Sequence, residues 1–189
     1  MKRLFSALAL TLVAALALTA CGSDDSTTSS NGDSDTFNAA DVTFAQSMIP
    51  HHEQAVQMSK MANLHASAPE VKQLADKIEA AQGPEITSMR GWLKDWGKDQ
   101  SSSSSMGGMD HGSMPGMMSD ADMSKLGDAT GASFDQMFLT MMIAHHTGAV
   151  SMSNTEQSTG KNPEAKALAK KIEAAQTAEI AQMEKLLKG

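Results

Sequence analysis

The sequence predicts an all-α protein: an antiparallel four-helix bundle built from two copies of one helical hairpin. Residues 41–93 align with residues 135–187 at a constant offset of 94, without a gap and with 25 identities in 53 positions. Apolar residues recur at helical spacing in both copies, whereas no segment alternates apolar and polar residues in the way that strands do. A unit that occurs twice in one chain indicates two hairpins related by a pseudo-twofold axis.

Residues 1–20 have the composition of a lipoprotein signal peptide. Two basic residues precede an apolar run over residues 4–18, which is too short and too poorly flanked for a stable membrane span. Cys21 is the only cysteine, and with the Leu-Thr-Ala before it resembles a bacterial lipobox. We therefore expect lipidation of Cys21 and anchoring outside the cytoplasm, on the cell membrane or, in a Gram-negative cell, in the periplasm or outer membrane. An ordinary signal peptide with a chance cysteine is the alternative.

Residues 21–37 are polar and are predicted to form a flexible tether before the bundle domain, which is expected over residues 38–189. If Cys21 is acylated, the mature chain has no free thiol, so soft metal ions must be bound by methionine and histidine. The chain has 16 methionines, far more than initiation and ordinary usage explain. Removal of the two cations in the signal peptide takes the formal charge from −7 to about −9, which argues against nucleic acid as a partner.

The predicted helix starts rest on capping patterns. The first helix of each repeat has Asn38 or Ser133 as a candidate N-cap, with Asp41 or Gln136 three residues later, a capping-box spacing. Ser67, with a glutamate three residues on, gives the second helix of the first repeat the same spacing. These patterns predict where the helices begin.

Prolines mark the second helix of each repeat. Pro69 and Pro163, the latter after Asn162, suit the first helical position, where the missing N–H is not needed. Gly-Pro at 83–84 interrupts the first copy, whereas the second copy has Thr-Ala at 177–178. An interior proline removes a helical hydrogen bond, so we expect a kink in the first copy only.

Residues 97–131 separate the two repeats, which span 38–96 and 132–189, and are predicted to be a methionine-rich loop. The stretch 101–123 is rich in Ser and Gly and lacks apolar periodicity, so we expect a mobile loop whose methionines bury nothing. Its candidate ligands are Met106, Met109, His111, Met114, Met117, Met118 and Met123. The segment resembles the methionine-rich segments of bacterial copper-resistance proteins and predicts capture of Cu(I) or Ag(I).

Two adjacent histidines occur at the same place in both copies, on a predicted helix face that also carries methionines. The candidate ligands on this face are Met48, His51, His52 and Met58 in the first copy, and Met141, Met142, His145, His146 and Met152 in the second. Thioether and imidazole together suit Cu(I) and Ag(I) and are poor ligands for Mg²⁺ or Ca²⁺. Glu85 and Glu179 are the matched acids on the second helices, and they can hydrogen-bond the histidines from behind.

Packing is the alternative explanation for these methionines. Methionine at helical spacing usually fills a core, and we expect mainly that role for Met89 and Met183. Two histidine pairs, each framed by methionines and matched across a repeat, favour metal binding over packing.

Known catalytic patterns are incomplete here. The His-Glu pair at 52–53 could begin an HExxH zinc-protease motif, but Val56 takes the place of the second histidine and Thr147 replaces the glutamate in the other copy. A ferritin-like di-iron site needs a glutamate three residues before each histidine, where Ile49 and Ile143 stand. We therefore expect no enzymatic activity.

Both copies resemble the family known as domain of unknown function number 305, whose hallmark is D-x-x-F-x-x-x-M-I-x-H-H-x-x-A-x-x-M followed by A-Q-x-x-E-I-x-x-M-x-x-W-L. The matching residues are Asp41, Phe44, Met48, Ile49, His51, His52, Ala55 and Met58, then Ala81, Gln82, Glu85, Ile86, Met89, Trp92 and Leu93, with their equivalents from Asp135 to Leu187. Leu186 replaces the tryptophan in the second copy. The resemblance implies a ferritin-like four-helix bundle that is commonly exported, with several members regarded as copper-binding proteins in copper tolerance.

These features predict a lipid-anchored protein outside the cytoplasm that sequesters or transfers Cu(I), with Ag(I) as a second candidate ion. Its expected partners are copper ions, the membrane through the lipid, and another copper-handling protein. One alternative is a ferritin-like metal oxidase that uses the histidines with Glu85 and Glu179. The other is a structural or interaction module in which the methionines pack and the loop binds a partner.

Overall fold

The computed structural model of the protein describes residues 36–100 and 114–188. These residues form five α-helices and no strand, which confirms the all-α class. The helices are α1 (Ala39–His65), α2 (Pro69–Asp95), α3 (Asp120–Asp128), α4 (Gly131–Thr159) and α5 (Pro163–Leu186). In this part of the chain no helix is both long and apolar enough to cross a membrane. The predicted signal peptide, Cys21, Met106, Met109 and His111 lie outside the described residues.

The four long helices form two hairpins. Helix α1 packs along α2 and α4 along α5, and the hairpins meet mainly where α1 contacts α4. Contacts of His52 with Glu85 and of Asn63 with Asp76 show that α1 and α2 run in opposite directions. The second hairpin has the same arrangement, so the repeat in the sequence is a repeat in the structure.

A buried aspartate at the start of each repeat joins the two hairpins. Asp41 on α1 accepts hydrogen bonds of 2.8–3.2 Å from the backbone N–H groups of residues 161–162, which connect α4 to α5. Asp135 on α4 accepts 3.0 Å hydrogen bonds from the backbone N–H groups of residues 67–68, which connect α1 to α2. Each aspartate thus supplies acceptors that the turn of the other hairpin would otherwise lack.

Several predicted helix starts are confirmed. Asn38 and Asp41 form the capping box of α1, with hydrogen bonds in both directions. The Asn162 side chain accepts from two backbone N–H groups in the first turn of α5. Pro69 and Pro163 are the first residues of their helices.

Two predicted N-caps are wrong. Helix α4 begins at Gly131 after Thr130, two residues before Ser133, because a positive φ of 63° at Gly131 turns the chain directly into the helix. Ser67 does not cap α2, since its hydroxyl donates to Asp135 instead. The hydrogen bond between Ser67 and Asp135 therefore takes the place of the expected cap on α2.

The Gly-Pro pair at 83–84 lies inside α2, and the kink expected there in the first copy stays a prediction. The helix continues to Asp95, with Ile78 and Ile86 buried on either side of the pair. Another proline, Pro50, lies inside α1. Packing of the buried face on both sides of each proline compensates for the missing hydrogen bond.

The predicted loop over residues 97–131 contains a helix that the sequence did not reveal. Ser119 caps α3, whose Met123 and Leu126 are 9% and 0% exposed. Met118 also packs against this cluster, so the expectation that the loop's methionines bury nothing is wrong for Met118 and Met123. With only two buried residues, α3 is too short to produce a detectable period.

The predicted tether ends too late. Phe37 is only 8% exposed and stacks on Trp96 with ring centroids 4.8 Å apart. This residue therefore belongs to the packed domain, and the boundary expected after residue 37 moves towards the N-terminus.

Candidate metal centre

Four histidines form one buried layer where α1 crosses α4. This histidine layer consists of His51, His52, His145 and His146, each 0% exposed. The rings of His51 and His145 have centroids 3.7 Å apart and are tilted by 37°. Equivalent residues of two repeats contact each other only at the axis that relates them, so the pseudo-twofold axis passes between these two rings. The histidines of both repeats therefore lie together at this axis.

A carboxylate on the neighbouring helix contacts the second histidine of each pair. Glu85 lies 2.8 Å from Nε2 of His52, and Glu179 lies 2.7 Å from Nε2 of His146. An ionised carboxylate only accepts, so each Nε2 carries the proton. In the neutral ring the lone pair is then on Nδ1, the atom that a metal ion would use.

The first histidine of the first pair has a different partner. His51 Nε2 lies 3.1 Å from the carbonyl oxygen of Pro115 and donates to it. Burial, together with the nearby His52, lowers the pKa of His51 to about 3. His51 is therefore neutral at physiological pH, with its lone pair on Nδ1.

His145 has the least satisfied ring in the layer. Burial lowers its pKa well below the ordinary 6.5, and the proximity of His51 adds to this. Neither of its ring nitrogens makes a hydrogen bond of normal geometry, and Nδ1 of His51, His52 and His146 is likewise unpartnered. Unpaired buried polar atoms cost about 1–3 kcal/mol each, so a cluster of them indicates a site that binds something.

Thioethers lie on both sides of the histidine layer, in two apolar clusters. Because α1 and α4 run in opposite directions, Met58 shares the first cluster with Met142, and Met48 shares the second cluster with Met152. Met141 packs against the first cluster. Each cluster thus contains a methionine that precedes one histidine pair and a methionine that follows the other.

The donor set is imidazole and thioether, not carboxylate. Within residues 36–100 and 114–188, no three His, Cys, Asp or Glu side chains are grouped so that they could hold a metal ion. Oxygen-rich cages for hard cations are therefore not built here, whereas the soft donors that accompany the histidines suit Cu(I) and Ag(I).

The segment over residues 114–118 lies against the histidine layer. Met114, Met117 and Met118 are half-buried there, although they were predicted to be in an exposed loop. The Pro115 carbonyl and Gly148, which contact each other, were not among the predicted site residues. A signal was present in the repeat, since Gly148 stands where the first copy has Gln54.

The family model for a domain of unknown function, DUF305, matches residues 41–187. The chain belongs to this family. The match confirms the resemblance found in the two histidine-containing repeats. No protein among the curated sequences matches the chain.

Solved structures of similar proteins cover most of the chain. A DUF305 protein from Streptomyces coelicolor, described as secreted, has a TM-score of 0.72 and 35% identity, covering 79% of this chain and 92% of its own. A DUF305 fragment from Deinococcus radiodurans has a TM-score of 0.71 and 30% identity, covering 80% of this chain and 97% of its own.

The similar structures include a metal-binding protein. CopM in its Cu(I)-bound form has a TM-score of 0.65 and 32% identity, covering 78% of this chain and 95% of its own. CopM in Cu(II)-bound and silver-bound forms is similar as well, with TM-scores of 0.68 and 0.64. A protein of this fold therefore binds copper and silver.

Proposed function

We propose that this protein binds Cu(I), and secondarily Ag(I), in order to sequester the ion or transfer it to another protein. The observation that carries the proposal is the histidine layer, in which buried imidazole nitrogens without hydrogen-bond partners lie between two clusters that contain thioethers. Similarity to CopM supports the choice of ions.

The protonation state of the layer suits a metal ion. The lowered pKa values of His51 and His145 keep both rings neutral, so binding of Cu(I) displaces no proton from them. The carboxylates of Glu85 and Glu179 orient the other two rings and increase their basicity. Methionine has no proton to lose, so thioether ligation also persists in acidic surroundings.

The remaining parts of the proposal concern location and fold. We infer that the protein works outside the cytoplasm, held to the membrane by a lipid on Cys21, and similarity to a protein described as secreted supports export. The two hairpins would form a ferritin-like antiparallel bundle that provides a rigid frame for exchangeable ligands. No catalysis is proposed, and iron-dependent oxygen consumption by the purified protein would contradict this part.

Titration with Cu(I) against a competing chelator tests the proposal. The full chain should bind Cu(I) more tightly than micromolar, and His145→Gln should weaken binding at least about tenfold. His65→Gln is the matched control, because His65 lies on α1 outside the layer and stacks on Phe134. Circular dichroism reports whether each variant keeps its helices.

The thioethers need a separate test. Met48→Leu and Met142→Leu conserve volume and cost little packing energy, so a loss of Cu(I) affinity in these variants reports ligation. X-ray absorption of the loaded protein should show nitrogen and sulfur neighbours. Equal affinity for Cu(I) in the wild type, His145→Gln and both leucine variants would contradict Cu(I) binding at the histidine layer.

A further inference from the structure

Residues 114–118 cross α1 and α4 directly over the histidine layer, and this segment is called the strap below. The Met117 N–H donates to the Met114 carbonyl over 3.1 Å, which closes a turn at Pro115 and Gly116. The turn directs the Pro115 carbonyl at His51 Nε2. The strap is therefore in direct contact with the site.

One side chain of α1 holds the end of the strap. The Gln54 amide donates to the Met118 carbonyl over 2.9 Å, and its oxygen accepts from the Met118 N–H over 2.8 Å. The glutamine thus satisfies both backbone groups of one residue, as a neighbouring strand would.

On the opposite side, the strap lies against the bare backbone of α4. A Cβ at Gly148 would lie 1.9 Å from the Pro115 carbonyl oxygen, and a Cβ at Gly116 would lie 2.5 Å from the Ala144 carbonyl oxygen. Gly116 also has a φ of 79°, which side chains rarely adopt. Any larger residue at 148 would therefore displace the strap.

The two contacts occur at equivalent positions of the repeat, since residue 54 becomes residue 148 at the offset of 94. A single strap across a twofold axis cannot make the same contact with both copies. Glycine destabilises the interior of a helix relative to alanine, and the close approach of Pro115 explains why Gly148 is nevertheless present. The repeat differs at this position because the strap crosses it.

We propose that Gln54 and Gly148 are positioning residues that hold the strap over the histidine layer. Held in this way, the Pro115 carbonyl keeps the proton of His51 on Nε2 and leaves Nδ1 for the metal ion. The strap also covers the bound ion and slows its release. This inference rests on the proposed function, because it assigns the strap a role in Cu(I) exchange.

Docking of the strap is tested in the metal-free protein by amide hydrogen exchange at Met118. Gly148→Ala and Gln54→Ala should each accelerate this exchange by about 10- to 30-fold, because each removes contacts equivalent to one or two hydrogen bonds. Gly91→Ala is the matched control, since a Cβ at this helical glycine meets nothing within 4 Å. Both alanine-for-glycine variants gain helix propensity, but only Gly148→Ala should free the strap.

Nitrogen chemical shifts of the His51 ring give a second readout. The wild type should show the proton on Nε2, and the two strap variants should show a mixture of tautomers. Unprotected Met118 in the wild type, or identical exchange in Gly148→Ala and Gly91→Ala, would overturn the inference.

Release of Cu(I) from the loaded protein to an excess of chelator tests the role in exchange. Gly148→Ala and Gln54→Ala should release the ion at least about tenfold faster with an unchanged number of ions bound, and Gly91→Ala should match the wild type. Equal release rates, with Cu(I) bound by all variants, overturn this inference alone. Failure of the wild type to bind Cu(I) overturns the proposed function, and this inference with it.

Discussion

The two repeats are alike where they form the histidine layer and differ where another part of the chain contacts them. His51 and His145 meet at the axis from equivalent positions, and Glu85 and Glu179 contact the second histidine of each pair in the same way. The difference between Gln54 and Gly148 corresponds to the strap. The two repeats thus keep the same residues in the histidine layer and differ at individual contacts around it.

The two aspartates that join the hairpins show a second difference of this kind. Asp135 receives the Ser67 hydroxyl, whereas Asp41 has beside it the carboxyl group of Glu156, which stands where the first repeat has Ala62. Glu156 is 1% exposed. Burial, together with the neighbouring Asp41, raises its pKa to about 8.

The pKa of Asp41 moves in the opposite direction. Burial alone would raise it, but hydrogen bonds from Glu156 and from backbone N–H groups hold it below its ordinary value. At neutral pH, Asp41 is therefore ionised and Glu156 keeps its proton. The aspartate that joins the hairpins therefore has the protonated carboxyl group of Glu156 beside it at one end of the molecule, and the hydroxyl group of Ser67 at the other end.

Replacing the joining aspartates should have the largest effect on stability. Asp41→Ala and Asp135→Ala each leave two or three part-buried donors without an acceptor, which should lower the free energy of unfolding by about 3–5 kcal/mol at pH 6. Urea unfolding measures the loss, and exposed Asp95→Ala is the control.

At pH 8.5 Asp41→Ala should lower the free energy of unfolding by less than Asp135→Ala does, because Asp41→Ala removes the repulsion with ionised Glu156. Equal losses at both pH values would contradict the difference between the two ends.

Glu156→Gln should remove the contribution of Glu156 to the pH dependence of stability. The folded-state pKa of about 8 lies above the ordinary 4.5, so between these values unfolding releases a proton and the wild type loses stability as the pH rises. Glutamine has nearly the same shape as the protonated acid and carries no charge. The variant should therefore be more stable than the wild type at pH 8.5, by on the order of 2–4 kcal/mol, with no advantage at pH 5.

Unfolding curves at several pH values measure this effect, and exposed Glu184→Gln serves as the control. Wild type and Glu156→Gln curves that stay parallel from pH 5 to pH 8.5 would show that Glu156 does not hold a proton in the folded protein.

The symmetric part of the molecule should respond symmetrically. Glu85→Gln and Glu179→Gln each replace the carboxylate that orients a histidine, and each should weaken Cu(I) binding by about 10- to 100-fold. Chelator competition measures both, with Glu79→Gln on the exposed face of α2 as the control. A large effect of one variant and none of the other would show that only one repeat supplies ligands.

Replacement of the tryptophan of the family motif should have the smallest effect on stability. Trp92 is half-buried and its Nε1 donates to Glu164 over 3.2 Å, while Leu186 takes its place in the second repeat. Trp92→Leu should therefore lower the free energy of unfolding by only about 0.5–1 kcal/mol in thermal denaturation. A loss above about 2 kcal/mol would show that the two repeats are not interchangeable here.

The helical class, the order of the long helices and the side chains on their buried faces could all be predicted from the sequence. Helical periodicity and the repeat are local properties, so Asn38, Pro69 and Asn162 mark helix starts that the structure confirms. The same periodicity placed Met48 and His51 on one face of a helix. These features depend only on residues a few positions apart.

The way in which those faces meet could not be predicted from the sequence and is seen only in the folded structure. Three features depend on residues that are distant in sequence. They are the contact between His51 and His145, the docking of Pro115 against Gly148, and the raised pKa of Glu156 beside Asp41. Helix α3 was missed because two buried residues give no measurable period. The crossing of α1 and α4 brings these groups together, and neither spacing nor composition encodes that crossing, because it results from the packing of whole helix surfaces.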